Sequence, residues 1–229
     1  MPVVLALVSQ KGGVGKSTLA RGLGATTALA GVRVRIADLD PQQGTVMRWE
    51  QARRSNQLAP SLDVKAYSSI SDALDEADDL ELLIVDTPGG SNETTLRIAQ
   101  SAHLVVQPTG PSLDDLYPGV LLFHELVAEG IPKSRLLFAL CRTLSRQEEK
   151  AAASYIEASG YALLLGSLPE HALYRSAHNR GLAVTETDKK ELSARADALM
   201  VELVKRVAAE VRAMREAEQS GRKPSKGVA

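Results

Sequence analysis

Nine residues carry the first chemistry in this chain. Residues 10–18 read QKGGVGKST and follow the apolar run Pro2-Val3-Val4-Leu5-Ala6-Leu7-Val8. Gly12, Gly13 and Gly15 allow a tight turn that aims backbone N–H groups inward at oxygen. The helix that opens after them turns its positive end to the same point, which suits phosphate. Lys16 reaches β- and γ-phosphates in such a loop, and Ser17 offers a hydroxyl to Mg2+. The loop follows the pattern G-x-x-x-x-G-K-[ST] only loosely, because Ser9 or Gln10 stands where the leading glycine belongs. A further lysine, Lys11, sits inside the loop; by composition alone it is as readily a solvated cation as a functional one.

Three carboxylates complete the constellation. Val32–Ala37 is a strand pattern that runs into Asp38-Leu39-Asp40-Pro41-Gln42-Gln43-Gly44. Spacing of two at a strand's carboxyl end sends both carboxylates to one side, where ligands of α/β sheets sit. One could order a metal's water shell and the other an attacking water. Leu82–Asp86 is a buried parallel strand ending in a carboxylate, and Asp86 reads as the Walker B residue that holds Mg2+. Thr87-Pro88-Gly89-Gly90 would then sense the γ-phosphate.

These residues need a sheet to position them. Strands are expected at Val3–Ser9, Val32–Ala37, Leu62–Tyr67, Leu82–Asp86, Ala102–Gln107, Arg135–Cys141 and Tyr161–Leu165. Helices are expected at Ser17–Ala30, Thr45–Arg54, 70–79, Asn92–Gln100, Leu113–Glu129, Gln147–Ser159 and Leu192–Gln219, with Ser69 and Ser112 as caps. The fold class is α/β: a P-loop NTPase fold, a mostly parallel sheet of about seven strands with helices on both faces. Residues 1–219 read as a single P-loop ATPase domain and 220–229 as a flexible C-terminal tail. The stripe Leu192, Leu199, Leu203, Val207 and Val211 reads as packing on the sheet, with a partner helix as the alternative.

Composition narrows the classes. Lys and Arg total 27 against 28 Asp and Glu, a net charge of −1, so bulk charge does not point to nucleic acid. Charge is unevenly placed: Asp72, Asp75, Glu76, Asp78, Asp79 and Glu81 form an acidic stretch, whereas residues 201–229 are mainly basic. With one Trp, five Tyr and two Phe, base stacking is not the expected mode. Any DNA contact would rest on phosphates, without sequence preference and with strong salt dependence. Cys141 is the lone cysteine and lies in a strand pattern, which excludes an internal disulfide and a Cys-x-x-Cys site. The four histidines lack metal-ligand spacing. No apolar run reaches the roughly 18–20 residues of a membrane helix, and the start lacks the basic lead of a signal peptide. A cytoplasmic location is expected.

The run Lys11-Gly12-Gly13-Val14-Gly15-Lys16-Ser17 resembles the deviant Walker A motif of the MinD/ParA ATPases, and Asp38-Leu39-Asp40-Pro41-Gln42 resembles the matching ParA segment. The likeness spans about residues 1–210, with its sharp motifs in the first 45 residues and at 82–90. It is closest to small ParA partition and cargo-positioning ATPases without an N-terminal helix-turn-helix domain, for which the phosphate loop leaves no room ahead of it. The resemblance implies ATP held by Gly12, Gly13, Val14, Gly15, Lys16, Ser17 and Thr18, and Mg2+ at Ser17, Asp38 and Asp86. It makes Lys11, Lys16 and Asp40 catalytic, with Lys11 crossing to the nucleotide of a second copy and Asp40 tied to hydrolysis. Arg142 and Pro169 fall where the family meets the base. The segment from Gln107 to Asp115 resembles one that borders the dimer interface.

The family's cycle implies a homodimer on ATP, non-specific DNA binding and association with the nucleoid. A ParB-like or cargo adaptor protein would stimulate hydrolysis and release, and a plasmid, chromosome origin or protein cargo would be positioned. Arg175, Arg180, Lys189, Lys190, Lys205 and Arg206 are the candidate DNA contacts. Other readings stay open: a MinD-like spatial regulator, whose apolar C-terminal anchor this tail lacks; a small-molecule enzyme of the superfamily; a binding module that reads ATP without hydrolysing it.

Overall fold

The computed structural model describes residues 1–90 and 92–219. The tail predicted at 220–229 lies outside the described residues. Among the described residues, seven strands form one sheet: β1 (Val3–Leu7), β2 (Val34–Asp38), β3 (Asp63–Ala66), β4 (Leu82–Asp86), β5 (Leu104–Thr109), β6 (Leu136–Thr143) and β7 (Ala162–Pro169). Their order is β3-β2-β4-β1-β5-β6-β7, and every pairing is parallel. The expected P-loop architecture is therefore what the chain adopts. The helices are α1 (Lys16–Leu29), α2 (Thr45–Ser55), α3 (Ile70–Asp75), α4 (Asn92–Ser101), α5 (Leu113–Ala128), α6 (Arg146–Ala158), α7 (Ala172–Asn179) and α8 (Lys190–Gln219).

Strand alternation divides the core in two. Val3, Leu5 and Leu7 of β1 face α1, α2 and α8, where Leu19, Leu23, Trp49, Leu192, Leu199, Leu203 and Val207 pack. Val4, Ala6 and Val8 face α3 to α6, where Ile98, Leu116, Phe123 and Ile156 pack. A strand buried on both faces needs apolar residues without alternation, and β1 and β4 have them. The stripe on α8 thus packs on the sheet. Among the described residues no helix is long and apolar enough to cross a membrane.

Two local departures matter for the site. The sequence pattern ends the last strand at Leu165, but β7 runs on to Pro169. Gly166 makes this possible: its φ is +95°, and a Cβ there would lie 3.2 Å from the backbone nitrogen of Leu199. The register against β6 shifts at this point, as it does at a bulge. β7 therefore carries Leu168 and Pro169 to the carboxyl edge of the sheet. The short helix α7, absent from the expected elements, follows at once, with His171 capping it by accepting from the Leu173 N–H at 3.1 Å. Ser69 caps α3 as expected, accepting from the Asp72 N–H at 3.2 Å. Ser112 stands at the start of α5, but its hydroxyl donates to Asp115 Oδ2 at 3.2 Å instead of capping.

α2 is fastened to the segment after α7. Arg53, only 1% exposed, donates to both carboxylate oxygens of Glu186 at 2.7 and 2.8 Å and to the Gly181 carbonyl at 3.1 Å. Gly181 lies against this helix at φ +80°, and a Cβ there would meet the Arg53 backbone nitrogen at 2.3 Å. Neither the backbone angle nor the space admits a side chain. Gly181→Ala is expected to cost at least about 3 kcal/mol of stability, read as a lowered urea midpoint. A midpoint equal to wild type would refute this account of the packing.

Candidate nucleotide site

A cavity of about 540 Å3 opens at the carboxyl edge of the sheet, within the range usual for small-ligand sites. It lies beside β1, where the chain leaves β1 toward β2 on one side and leaves β4 toward β5 on the other. Gly12, Gly13, Gly15, Lys16, Ser17 and Thr18 form one wall. Gly13 and Gly15 adopt φ of +74° and +119°, the region that glycine enters freely. A Cβ on Gly15 would also crowd Cys141 Sγ at 3.1 Å. Val14, expected with them, is buried and is not part of the cavity's lining.

The two lysines of the loop do different things. Lys16 is buried, and its Nζ donates to the Lys11 carbonyl at 3.1 Å, across the turn of the loop. Burial pulls its pKa down, and Asp86 and Asp40 push it back up. Lys11 points away. Its Nζ donates to Asp115 Oδ1 at 2.5 Å and to the Asp114 carbonyl at 3.1 Å, at the start of α5, and its side chain is 51% exposed. Gly89 lies against the same loop, since a Cβ there would be 3.2 Å from the Gly12 nitrogen. The Thr87–Gly90 turn thus touches the backbone that carries both lysines.

The carboxylates gather opposite. Ser17 Oγ donates to Asp86 Oδ2 at 2.6 Å. Asp86 Oδ1 and Asp38 Oδ2 are buried without a partner. Burial pushes the Asp86 pKa up to about 7, which the Ser17 hydrogen bond resists and Asp38 reinforces. Orphaned buried carboxylate oxygens beside a hydroxyl suit a hard divalent cation. Among the described residues no group of three or more His, Cys, Asp or Glu is placed to hold a metal. A cation here would therefore lean on Ser17 and on phosphate oxygens, as Mg2+ does in phosphoryl-transfer sites. Asp40 also lines the cavity. Its loop is internally bonded: the Asp40 N–H donates to Asp38 Oδ1 at 2.9 Å, and the Gln43 N–H to Asp40 Oδ1 at 3.1 Å.

The far wall comes from β6, β7 and α7. Arg142 and Pro169 both line it, as do Leu168, Glu170, Tyr174, Arg175 and His178. Arg142 holds a left-handed backbone at φ +59°, unusual for a side chain of its size. Its Nε donates to Glu170 Oε2 at 3.0 Å, and Arg175 pairs with the other oxygen of the same carboxylate. Cys141 is fully buried beneath, and burial pushes its thiol up to about 12. It is no thiolate ligand.

The candidate DNA residues do not form one patch. Arg175 lines the cavity because α7 begins directly at the strand end. Arg180 pairs with Asp188 at 3.2 Å and Lys189 with Glu191 at 3.8 Å, near the start of α8. Lys205 and Arg206 share Glu202 at 4.0 and 3.2 Å. They lie fifteen residues beyond Lys190 on the same helix, roughly 22 Å along its axis. Gln43, from the Asp38–Gly44 run, and His178, from the segment after the last strand that the family resemblance sets near the base, also line the cavity; Arg21, Thr45 and Tyr174 do too, and the sequence motifs do not single these three out. Arg21 and Tyr174 have a signal all the same: Arg21 follows Ser17 by four residues, and Tyr174 precedes His178 by four, so each pair shares a helix face.

The family described as the CobQ/CobB/MinD/ParA nucleotide binding domain matches residues 5–212. A maintenance of carboxysome distribution protein A from Gloeobacter kilaueensis is 29% identical over 186 residues, 81% of this chain and 85% of that protein. A ParA from Rhizobium radiobacter is 35% identical over 130 residues, 56% of this chain and 57% of that protein. Among solved structures, the septum site-determining protein MinD with Mg-ADP from Pyrococcus horikoshii superposes with a TM-score of 0.71. It is 17% identical, covering 92% of this chain and 99% of that one, a likeness of fold.

Proposed function

The chain belongs to the CobQ/CobB/MinD/ParA nucleotide-binding family, and from that premise we propose that it is a Mg2+-dependent ATPase acting as a two-copy switch. In this reading residues 1–219 are one ATPase domain. ATP rests on the backbone of residues 12–18, with Lys16 at the β- and γ-phosphates and the base end between Arg142 and Pro169. Ser17 would hold Mg2+, with Asp38 and Asp86 beside it, and the ion would offset charge on the phosphates. Asp40 orients the attacking water. Lys11 crosses to the second copy's nucleotide and meets the charge that develops there.

The observation that carries this reading is the position of Lys11. Lys16 lines the chain's own cavity, whereas Lys11 lies outside that lining, half exposed and paired with Asp115. A cation spared by its own site suits a role in another. Closing two copies joins their basic surfaces. Arg180, Lys189 and Lys190 form one candidate contact, and Lys205 and Arg206 another. Each is weak alone and is strengthened by rigid pairing. Hydrolysis, stimulated by an adaptor protein, separates the copies and releases DNA, which would place the protein on the nucleoid. The carboxysome-distribution relative aligns over more of the chain than the ParA relative does, which favours a protein assembly as cargo over a plasmid.

The test compares ATP, ADP and ATP without Mg2+ on the purified chain. Light scattering should show the mass doubling with ATP–Mg2+ only. Two unrelated duplexes of equal length should then be retained equally. If four phosphates are neutralised, affinity should fall roughly 100-fold between 50 and 200 mM salt. Equal DNA retention with ADP, or a constant mass in all three states, would sink the switch.

A further inference from the structure

α1 sends a second buried cation into the cavity. Arg21 lies one helical turn beyond Ser17 and is 6% exposed. Its Nη2 donates to the Thr45 carbonyl at 2.8 Å, and its guanidinium lies 5.6 Å from the centre of the Trp49 ring. Its Nε is buried without a partner. Burial lowers its pKa to about 10, with Asp86 and Asp38 acting in the opposite direction. An unpaired buried N–H is costly, and a site of this kind keeps one when another state supplies an acceptor.

What Arg21 grips is the point where the Asp40 loop becomes a helix. Thr45 is the first residue of α2, directly after the loop. The loop turns on Gly44, whose N–H donates to the Asp40 carbonyl at 2.7 Å and whose φ is +52°. The rest of α2 is anchored elsewhere. Trp49 Nε1 donates to the Leu182 carbonyl at 3.1 Å, Arg53 holds Gly181 and Glu186, and Asn56 donates to the Arg180 carbonyl at 3.0 Å. α2 is thus a bar bolted at one end to the segment after α7 and tied at the other to the phosphate-binding helix.

We propose that Arg21 is a positioning residue: it fastens the Asp40 loop to the helix that holds the phosphates, and its free Nε–H takes an oxygen of the liganded site. This rests on the ATPase reading above. Arginine suits the task where lysine does not, because one planar group donates to Thr45, lies over Trp49 and keeps its Nε–H unspent.

Trp49 is the chain's single tryptophan, so its emission reads this one ring, which Arg53 also faces at 5.7 Å, and the Arg21 variants isolate the Arg21 contribution. The experiment combines calorimetry of ATP–Mg2+ binding, Trp49 emission and steady-state hydrolysis for wild type, Arg21→Gln and Arg21→Lys. Wild type should change its emission when ATP–Mg2+ binds. Arg21→Gln should keep ATP affinity within about threefold, lose at least half of the emission change, and drop kcat tenfold or more with KM little altered. Arg21→Lys should recover part of both, since it can still reach the Thr45 carbonyl. A glutamine variant with wild-type emission and kcat overturns the proposal. So does one that loses affinity, kcat and melting temperature together, because that marks a purely structural arginine. A wild type that binds ATP and reports it through Trp49 but hydrolyses none overturns the ATPase reading, while selective loss of the report in Arg21→Gln still supports the tie to the loop.

Discussion

Lys11→Ala is expected to abolish ATP-driven dimerisation and to cut hydrolysis by about 10³-fold or more, while ATP affinity of the single copy stays within about threefold. The asymmetry follows from where the two lysines attach. What the loop takes from Lys11 within one chain is its carbonyl, which accepts from Lys16 Nζ, and alanine keeps that carbonyl. The lysine side chain bonds to the start of α5. With Lys11 half exposed, the Asp115 pair is worth at most about 1 kcal/mol, so folding should hardly change. A cation supplied across an interface to developing phosphate charge is worth far more, about 10³–10⁵ in rate where such residues are known. Light scattering with ATP–Mg2+ and phosphate release read the two effects. A variant that dimerises and turns over normally would falsify the cross-chain role.

Asp115 gives the opposite sign. On the two-copy reading it competes, in the single copy, with the second nucleotide for Lys11. Asp115→Ala frees the lysine, but a half-exposed ion pair restrains it only weakly, so dimerisation should tighten by no more than about fivefold. The same variant removes the acceptor of the Ser112 hydroxyl, a bond at the surface whose absence has little weight.

The parts of this site that are legible from sequence are those whose chemistry is fixed over a few neighbouring residues. A glycine-rich turn between a strand and a helix can hardly do anything but expose backbone N–H groups, and QKGGVGKST is such a turn. A carboxylate at the end of a buried parallel strand lands at the ligand edge wherever that strand sits in the sheet. For this reason Asp38, Asp40 and Asp86 fall into one cavity as expected. The far wall is not legible in the same way. It depends on Gly166 letting β7 pass beside α8 and continue to Pro169, an approach between residues 33 apart in sequence. α7 escapes a sequence reading because a helix of eight residues with two buried side chains, Tyr174 and Ala177, makes almost no periodic signal. Arg21 is buried by α2 folding over it, and no local pattern announces that. Arg175, expected as a DNA contact, lines the cavity for a similar reason, since its partner Glu170 is carried there by the end of β7.

Asp40 allows the sharpest separation of chemistry from structure. Asp40→Asn is expected to slow hydrolysis by about 10²–10⁴-fold, the usual weight of a group that positions or activates water, with ATP affinity retained and the ATP-bound dimer accumulating. Asparagine keeps an oxygen where Asp40 Oδ1 accepts the Gln43 N–H, and it leaves the backbone bonds from Asp40 to Asp38 and from Gly44 to Asp40 untouched. The loop should therefore keep its shape, and the drop in rate measures the carboxylate alone. Asp40→Ala breaks the Gln43 bond as well. If the loop's shape matters beyond the charge, alanine should be slower than asparagine and should also weaken Trp49's response to ATP, because Thr45 is gripped by Arg21 just beyond the loop. Equal rates in the two variants mean that the carboxylate accounts for the whole effect and the loop's hydrogen bonds only hold it in place. Wild-type turnover in Asp40→Asn, with no dimer accumulating in light scattering, removes Asp40 from the reaction and passes the water to another cavity residue.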